Sequence, residues 1–204
     1  MDNYFNTWSQ LHGGAQVKGV VKVWLTIAYK AARTLTKLKV RPNAITLLGL
    51  LFAVATWRFA HSWFSALLII FSLIFDGLDG SLAILQNVTS KTGAVIDSVV
   101  DRISEFFWAL ALVAIGANWA VVFAAVALAS SQEYLRARAG GLGLTQIGVV
   151  SIAERPVRAI ITAIALLSIH SSLKLVNGLA IIWLLIQFFA FVQVSKSAKA
   201  RLLS

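Results

Sequence analysis

The stretch from Asp76 to Asp101, DGLDGSLAILQNVTSKTGAVIDSVVD, constrains this chain more than any other. It holds four of the eight acidic residues, yet SALLIIFSLIF runs up to it and ISEFFWALALVAIGA follows the arginine that ends it. A carboxylate near the middle of a membrane helix costs about 2.5–3.5 kcal/mol even on lenient insertion scales. Four in such a setting need a compensating partner. The stretch therefore reads as a site, and the rest of the chain as its holder.

The surrounding composition fixes the solvent. Of 204 residues, 59% are hydrophobic and 13% charged, and the mean hydropathy is +0.82. A soluble domain of this length needs more polar surface, so the chain reads as one all-α polytopic membrane domain, 1–204, with 1–43 as a cytoplasmic or interfacial N-terminal segment. The opening MDNYFNTWSQLHGG carries an acid and no apolar core, unlike a secretory signal peptide. There are no cysteines, which removes disulfides and thiolate metal sites.

From Val17 to Thr36, Val21, Trp24, Leu25 and Ala28 recur at helical spacing with lysines around the other side. This predicts a basic amphipathic helix in the membrane interface. Leu38 to Asn43, with its proline, marks a turn. Six apolar segments follow near 44–60, 64–84, 93–116, 118–138, 156–170 and 174–195, each read as a transmembrane helix. Six spans put both termini on one side. That side receives sixteen lysines and arginines, and the other only Arg58 and Lys174. The asymmetry predicts cytoplasmic termini in a multi-pass cell-membrane protein. It also turns the net charge of +10 into a rim for anionic lipid or phosphate-bearing substrates rather than a nucleic-acid surface. His12, His61 and His170 fall in or near polar joints and are not read as ligands.

Asp76 and Asp79 lie three apart and Asp97 and Asp101 four apart, so each pair projects from one helix face. The short joint between them makes the two helices antiparallel neighbours whose acidic faces can converge. Four carboxylates with no histidine or cysteine nearby favour a hard cation, Mg²⁺ or Mn²⁺, as one or two ions. Gly77, Gly80 and Gly93 remove side chains beside the acids and admit a ligand or another helix.

The spacing Asp76-x2-Asp79-Gly80-x2-Ala83, then Gly93-x3-Asp97-x3-Asp101, resembles the signature of the CDP-alcohol phosphatidyltransferases. The resemblance implies an interfacial N-terminal helix, six spans and a homodimer. It implies a phosphatidyl group transferred from CDP-diacylglycerol to a polar alcohol, with CMP released. Asp76, Asp79 and Asp97 would hold the metals, with Asp101 completing the site and acting as general base. Gly80, Ala83, Ser90 and Gly93, with the Pro42-Asn43-Ala44-Ile45 segment, would contact the CDP-linked donor. One position departs from the pattern. The family has an arginine after the alanine, and this chain has Ile84. If the arginine's role transfers, Ile84→Arg raises activity.

The later segment SSQEYLRARAGGLGLTQIGVVSIAERPVR is similar to that of actinobacterial phosphatidylinositol phosphate synthases. Arg136 stands where that subgroup has lysine, and Gly140 where it has glutamate. Clustered basic residues suit a phosphorylated acceptor. Arg136, Arg155 and Lys196 or Lys199 are the candidates for the acceptor phosphate. Inositol 1-phosphate is the first choice of acceptor, then glycerol 3-phosphate or another polar alcohol. Two readings stand against this one: a divalent-cation transporter, since intramembrane acids also line ion paths, and a non-catalytic CDP-lipid binder, motivated by Ile84.

Overall fold

The structure, a computed structural model, describes residues 1–144, 150–169 and 172–202. Over these it is all-α, with helices α1 (Asp2–Leu11), α2 (Gly19–Lys37), α3 (Pro42–Arg58), α4 (Ser65–Leu85), α5 (Lys91–Ala114), α6 (Trp119–Gly141), α7 (Arg155–Leu167) and α8 (Leu173–Leu202). The last six coincide with the six apolar segments. Among the described residues and taken singly, only α4 and α8 are long and apolar enough to cross a membrane, and α2 with α3 makes a third if that pair, bent by 116°, is one span. The reason is physical. At 17 and 13 residues α3 and α7 are short, while α5 carries Asp97, Asp101, Arg102 and Glu105, and α6 carries Glu133 and Arg136.

The chain forms two compact units. The first comprises Met1–Phe52 and Phe71–Ile103. Its core joins Ala28 and Ala32 of α2 to Ile45 of α3 and to Leu78 and Leu82 of α4. The two alanines are completely buried, and their small size lets α2 lie close to α4. Gly77 is needed for the same reason, because a Cβ there would come within 2.6 Å of the Trp24 indole. The turn after α2 places Lys39 in the left-handed region at φ +56°, and its Val40 carbonyl accepts a hydrogen bond from Gln86 Nε2 at 2.7 Å. Val21, grouped by spacing with Leu25 and Ala28, is instead exposed, as are Val20, Val23 and Ile27. Helix α2 thus has a buried apolar face and a second, outward one.

Helix α1 leaves little trace in the sequence because its apolar positions are few. It is held by their partners: Tyr4 is 5% exposed, packs with Leu25 and Ile84, and shares a 2.8 Å hydrogen bond with Ser81 of α4. Burial pushes the Tyr4 hydroxyl's pKa up, against the opposing effect of the Ser81 hydrogen bond.

The second unit comprises Ala53–Ile70 and Ser104–Ser204. Its helices α6 and α8 bury small side chains, Ala125 and Ala129 on one and Ala180 and Ala190 on the other. Small residues at this spacing allow close helix approach without a large apolar filling. Asn118 caps α6 by accepting the Ala120 and Val121 N–H groups, and its own N–H donates to Asn177 of α8 at 2.8 Å. Inside the pair, Gln187 Nε2 donates to Gln132 Oε1 at 3.0 Å, with both glutamines fully buried.

Candidate metal centre and phosphate-binding residues

In the first unit α4 supplies Asp76, and α5 supplies Asp97 and Asp101 one turn apart. One carboxylate oxygen from each lies within 4.8 Å of the others, and all three residues are half-buried. Trans oxygens around a magnesium ion at about 2.1 Å stand about 4.2 Å apart, so the cluster is close to the size one ion demands. Three half-buried carboxylates converging on one point are the donor set that suits a hard divalent cation, and Arg102 Nη2 lies 3.9 Å from Asp101 Oδ2 beside them.

Asp79 lies outside this trio. It is 5% exposed; its Oδ2 accepts from Thr46 Oγ1 of α3 at 2.5 Å and its Oδ1 from the Gly80 N–H. Asp79 is held by α3 rather than sharing that three-oxygen cluster, but it stays close enough to Asp97 and Asp76 for their charges to act on it. Thr46, which no motif singles out, orients Asp79. Gly80 itself is exposed, and a Cβ there would meet nothing within 4 Å, so its backbone faces open space where a ligand can approach.

The residues expected at the donor divide. Pro42 opens α3, and Asn43 and Ala44 are exposed in its first turn. Ile45 is 4% exposed and belongs to the core. Ser90 accepts the Gly93 N–H at 3.0 Å, which makes it the cap of α5. Ala83 is half-buried on α4. Ile84 is 8% exposed and packed with Tyr4 and Leu25, so this position is filled by the chain's own apolar contacts.

In the second unit the candidate phosphate-binding arginines sit among carboxylates. Arg136 forks onto Glu154, with Nη2 at 2.7 Å from Oε1 and Nη1 at 3.1 Å from Oε2, and reaches Glu133 at 3.3 Å. Arg155 Nε is 3.7 Å from Glu105, and its guanidinium lies 5.2 Å from the Trp108 ring centre. Arg158, 1% exposed, reaches Glu105 at 3.2 Å and Glu133 at 3.5 Å. Burial works to raise the pKa of Glu154, but hydrogen bonds from Arg136 and from Ser151 outweigh it and hold it below the ordinary value. Lys196 and Lys199 are exposed near the end of α8. Lys199 lines a groove of about 540 Å³ with Tyr134, Arg138 and Phe191. His12 stacks on Trp8 with its Nδ1 at 2.8 Å from the Trp8 carbonyl oxygen. His170 lies outside the described residues, as does 145–149 within the acceptor-like segment.

Of the three glutamates that meet these arginines, Glu154 falls in the AER stretch similar to the synthases, while no motif singles out Glu105 and Glu133. A signal for those two was present: acids are few, eight in the chain, and Glu105 interrupts an apolar run.

Residues 39–193 match the family model described as CDP-alcohol phosphatidyltransferase. The chain is 31% identical to the archaetidylinositol phosphate synthase of Aeropyrum pernix over 78% of its own length and 85% of that protein's. It is 33% identical to the phosphatidylinositol phosphate synthase of Corynebacterium glutamicum, covering 76% of this chain and 73% of that one. In fold it resembles crystal structures of Mycobacterium tuberculosis phosphatidylinositol phosphate synthase. One has CDP-DAG bound, with a TM-score of 0.72 at 24% identity over 85% of this chain and 94% of that one. Another, in complex with manganese and citrate, has a TM-score of 0.71 at 24% identity over 84% and 88%.

Proposed function

The chain belongs to the CDP-alcohol phosphatidyltransferase family, a membrane transferase of phospholipid biosynthesis, and on that premise we propose that it transfers the phosphatidyl group of CDP-diacylglycerol to inositol 1-phosphate. The observation that carries the chemistry is the convergence of Asp76, Asp97 and Asp101. These residues would hold Mg²⁺ or Mn²⁺, as one or two ions, with Asp79 joining from its Thr46 anchor. The cation, when bound, supplies Lewis-acid stabilisation for charge on the diphosphate and on departing CMP.

The protein's own part follows from residue types. Asp101 accepts the proton of the acceptor hydroxyl, whose oxygen forms the new bond to the phosphorus that bears diacylglycerol. The bond from that phosphorus to the CMP oxygen breaks, and CMP leaves. The open face at Gly80, with Asn43 and Ala44, receives the cytidine-bearing part of the donor. Arg136, Arg155, Lys196 and Lys199 are the groups proposed to take the acceptor's phosphate, because guanidinium groups match its geometry bidentately.

The finer membrane reading belongs here too. Helices α3 to α8 are proposed as six spans, with α2 in the interface and both termini cytoplasmic in the cell membrane. The sixteen-to-two charge asymmetry supports it. So does the pairing of Glu105 and Glu133 with Arg158 and the clustering of Asp97 and Asp101, which offset charge carried by α5 and α6. The whole chain is taken as one catalytic domain, since the family match runs through both units. A homodimer is proposed from the family resemblance.

The test is CMP release from CDP-diacylglycerol with Mg²⁺ across inositol 1-phosphate, glycerol 3-phosphate, serine and inositol, with Asp101→Asn as control. Release that needs inositol 1-phosphate and disappears in the control is expected. Release driven by another acceptor would overturn the substrate, and full activity in the control would overturn the role of Asp101.

A further inference from the structure

The groove between the C-terminal parts of α6 and α8 takes no part in the chemistry described so far. It measures about 540 Å³, within the about 300–1,000 Å³ that small-molecule clefts span. Its walls are almost wholly apolar, with Leu135 of α6 facing Phe191 and Ala198 of α8, and no acid lines it. Two exposed cations do, Arg138 of α6 and Lys199 of α8. Along the helices they come late: Arg138 follows the lining residue Ser131 by seven positions, and Lys199 follows Phe191 by eight. At 1.5 Å per residue that is roughly 10–12 Å from the inner part of the groove to its basic end. Among the described residues neither cation makes an ion pair, whereas Arg136, Arg155 and Arg158 each meet a glutamate. None of those three arginines lines the groove. Arg138 stands about 200° around α6 from Arg136, so the groove opens on another flank of the helix.

We propose that this groove is a binding site for one anionic phospholipid, with the headgroup phosphate on Arg138 and Lys199 and an acyl chain lying along Leu135 and Phe191. This rests on the membrane reading given above, in which the C-terminal ends of α6 and α8 face the cytoplasm; it does not depend on which alcohol the enzyme uses. The argument is one of matched polarity. A phospholipid of the cytoplasmic leaflet carries its charge at the membrane surface and its chain inward, and the groove carries cations at its outer end and apolar walls inward. Basic recesses between membrane helices on the cytoplasmic side suit anionic headgroups for this reason. The apolar track also continues past the groove, since Phe188, one turn before Phe191 on α8, is 50% exposed. Two cations with no counter-charge from the chain leave the site positive, which favours a net-negative lipid over a zwitterionic one. The groove takes Lys199 for the lipid, so of the two lysines offered to the acceptor's phosphate Lys196 remains.

The experiment is native mass spectrometry of the delipidated full-length protein in mild detergent, given equal amounts of phosphatidylglycerol and phosphatidylcholine with identical chains. The wild type should retain one phosphatidylglycerol in preference to phosphatidylcholine by about tenfold or more. Arg138→Gln should cut that preference about fivefold, the scale set by one cation near an anionic surface, and Arg138→Gln/Lys199→Gln should abolish it. Ser131→Trp, which fills the groove and leaves both cations, should lower the occupancy of both lipids. Ser131 and Arg138 are exposed, so these variants should keep the wild-type unfolding midpoint; Lys199→Gln alone reads the same loss through a second exposed side chain. Equal retention of the two lipids by the wild type, or a preference unchanged in the double variant, would overturn the headgroup site. Unchanged occupancy in Ser131→Trp would overturn the placement of the chain. Displacement of the lipid by inositol 1-phosphate or inorganic phosphate would assign the two cations to a soluble anion instead. A dimer mass whose groove takes up lipid only after dissociation would assign the groove to a second copy. CMP release is measured on the same wild-type protein, so failure of the proposed reaction and failure of the lipid site are seen separately.

Discussion

Replacing Ile84 with arginine would restore the residue that the family signature carries, and the surroundings of Ile84 make the outcome the opposite of a rescue. The side chain is 8% exposed and packs with Tyr4 and Leu25, with Phe5, Trp8, Val17, Trp24, Tyr29 and Leu85 around them. Burying an isoleucine contributes about 1.5–3 kcal/mol, and the substitution forfeits that packing. A guanidinium left in its place carries a desolvation penalty of several kcal/mol, reduced where the long side chain can extend its head towards water. The net destabilisation is about 3–5 kcal/mol, and α1 should detach first because Tyr4 ties it to α4. The assay is unfolding of the purified protein in detergent beside a CDP-diacylglycerol titration of CMP release, with Ile84→Val as a mild control costing about 0.5–1.5 kcal/mol. Wild-type stability in Ile84→Arg together with a lower donor KM would refute the reasoning. It would mean that the position opens to the nucleotide.

Two further outcomes follow from single contacts. Thr46→Val keeps the shape of the side chain and removes the hydroxyl that donates to buried Asp79; a hydrogen bond to a charged group is worth about 1.5–3 kcal/mol, so CMP release should fall about 10- to 100-fold with a weaker response to added Mg²⁺, and an unchanged metal titration would refute it. Glu154 titrates below its ordinary value of 4.5 in the folded protein, so its contribution is present above that value and is lost as the pH falls through the lower folded one. Unfolding midpoints measured on acidification should therefore drop less steeply in Glu154→Gln than in the wild type, and identical slopes would refute the link.

By itself the sequence determined the class of solvent, the helical architecture and the acidic signature, because each is written in local terms. Apolar run length reports a membrane, and acids at three- and four-residue spacing report a shared helix face. The alignment of α3 to α8 with the apolar segments shows how far that local signal reaches. Helix α1 escaped it, since three scattered aromatic and apolar side chains have meaning only once α4 is beside them. The tertiary structure alone decided which of four aspartates converge and that Asp79 turns to Thr46, a residue 33 positions away. It also decided that Ile84 is occupied by core packing rather than left as a gap, and that Arg136, Arg155 and Arg158 are met by three glutamates. Spacing can put a charge on a helix face. Which counter-charge it meets depends on other helices, and only the folded chain brings those together.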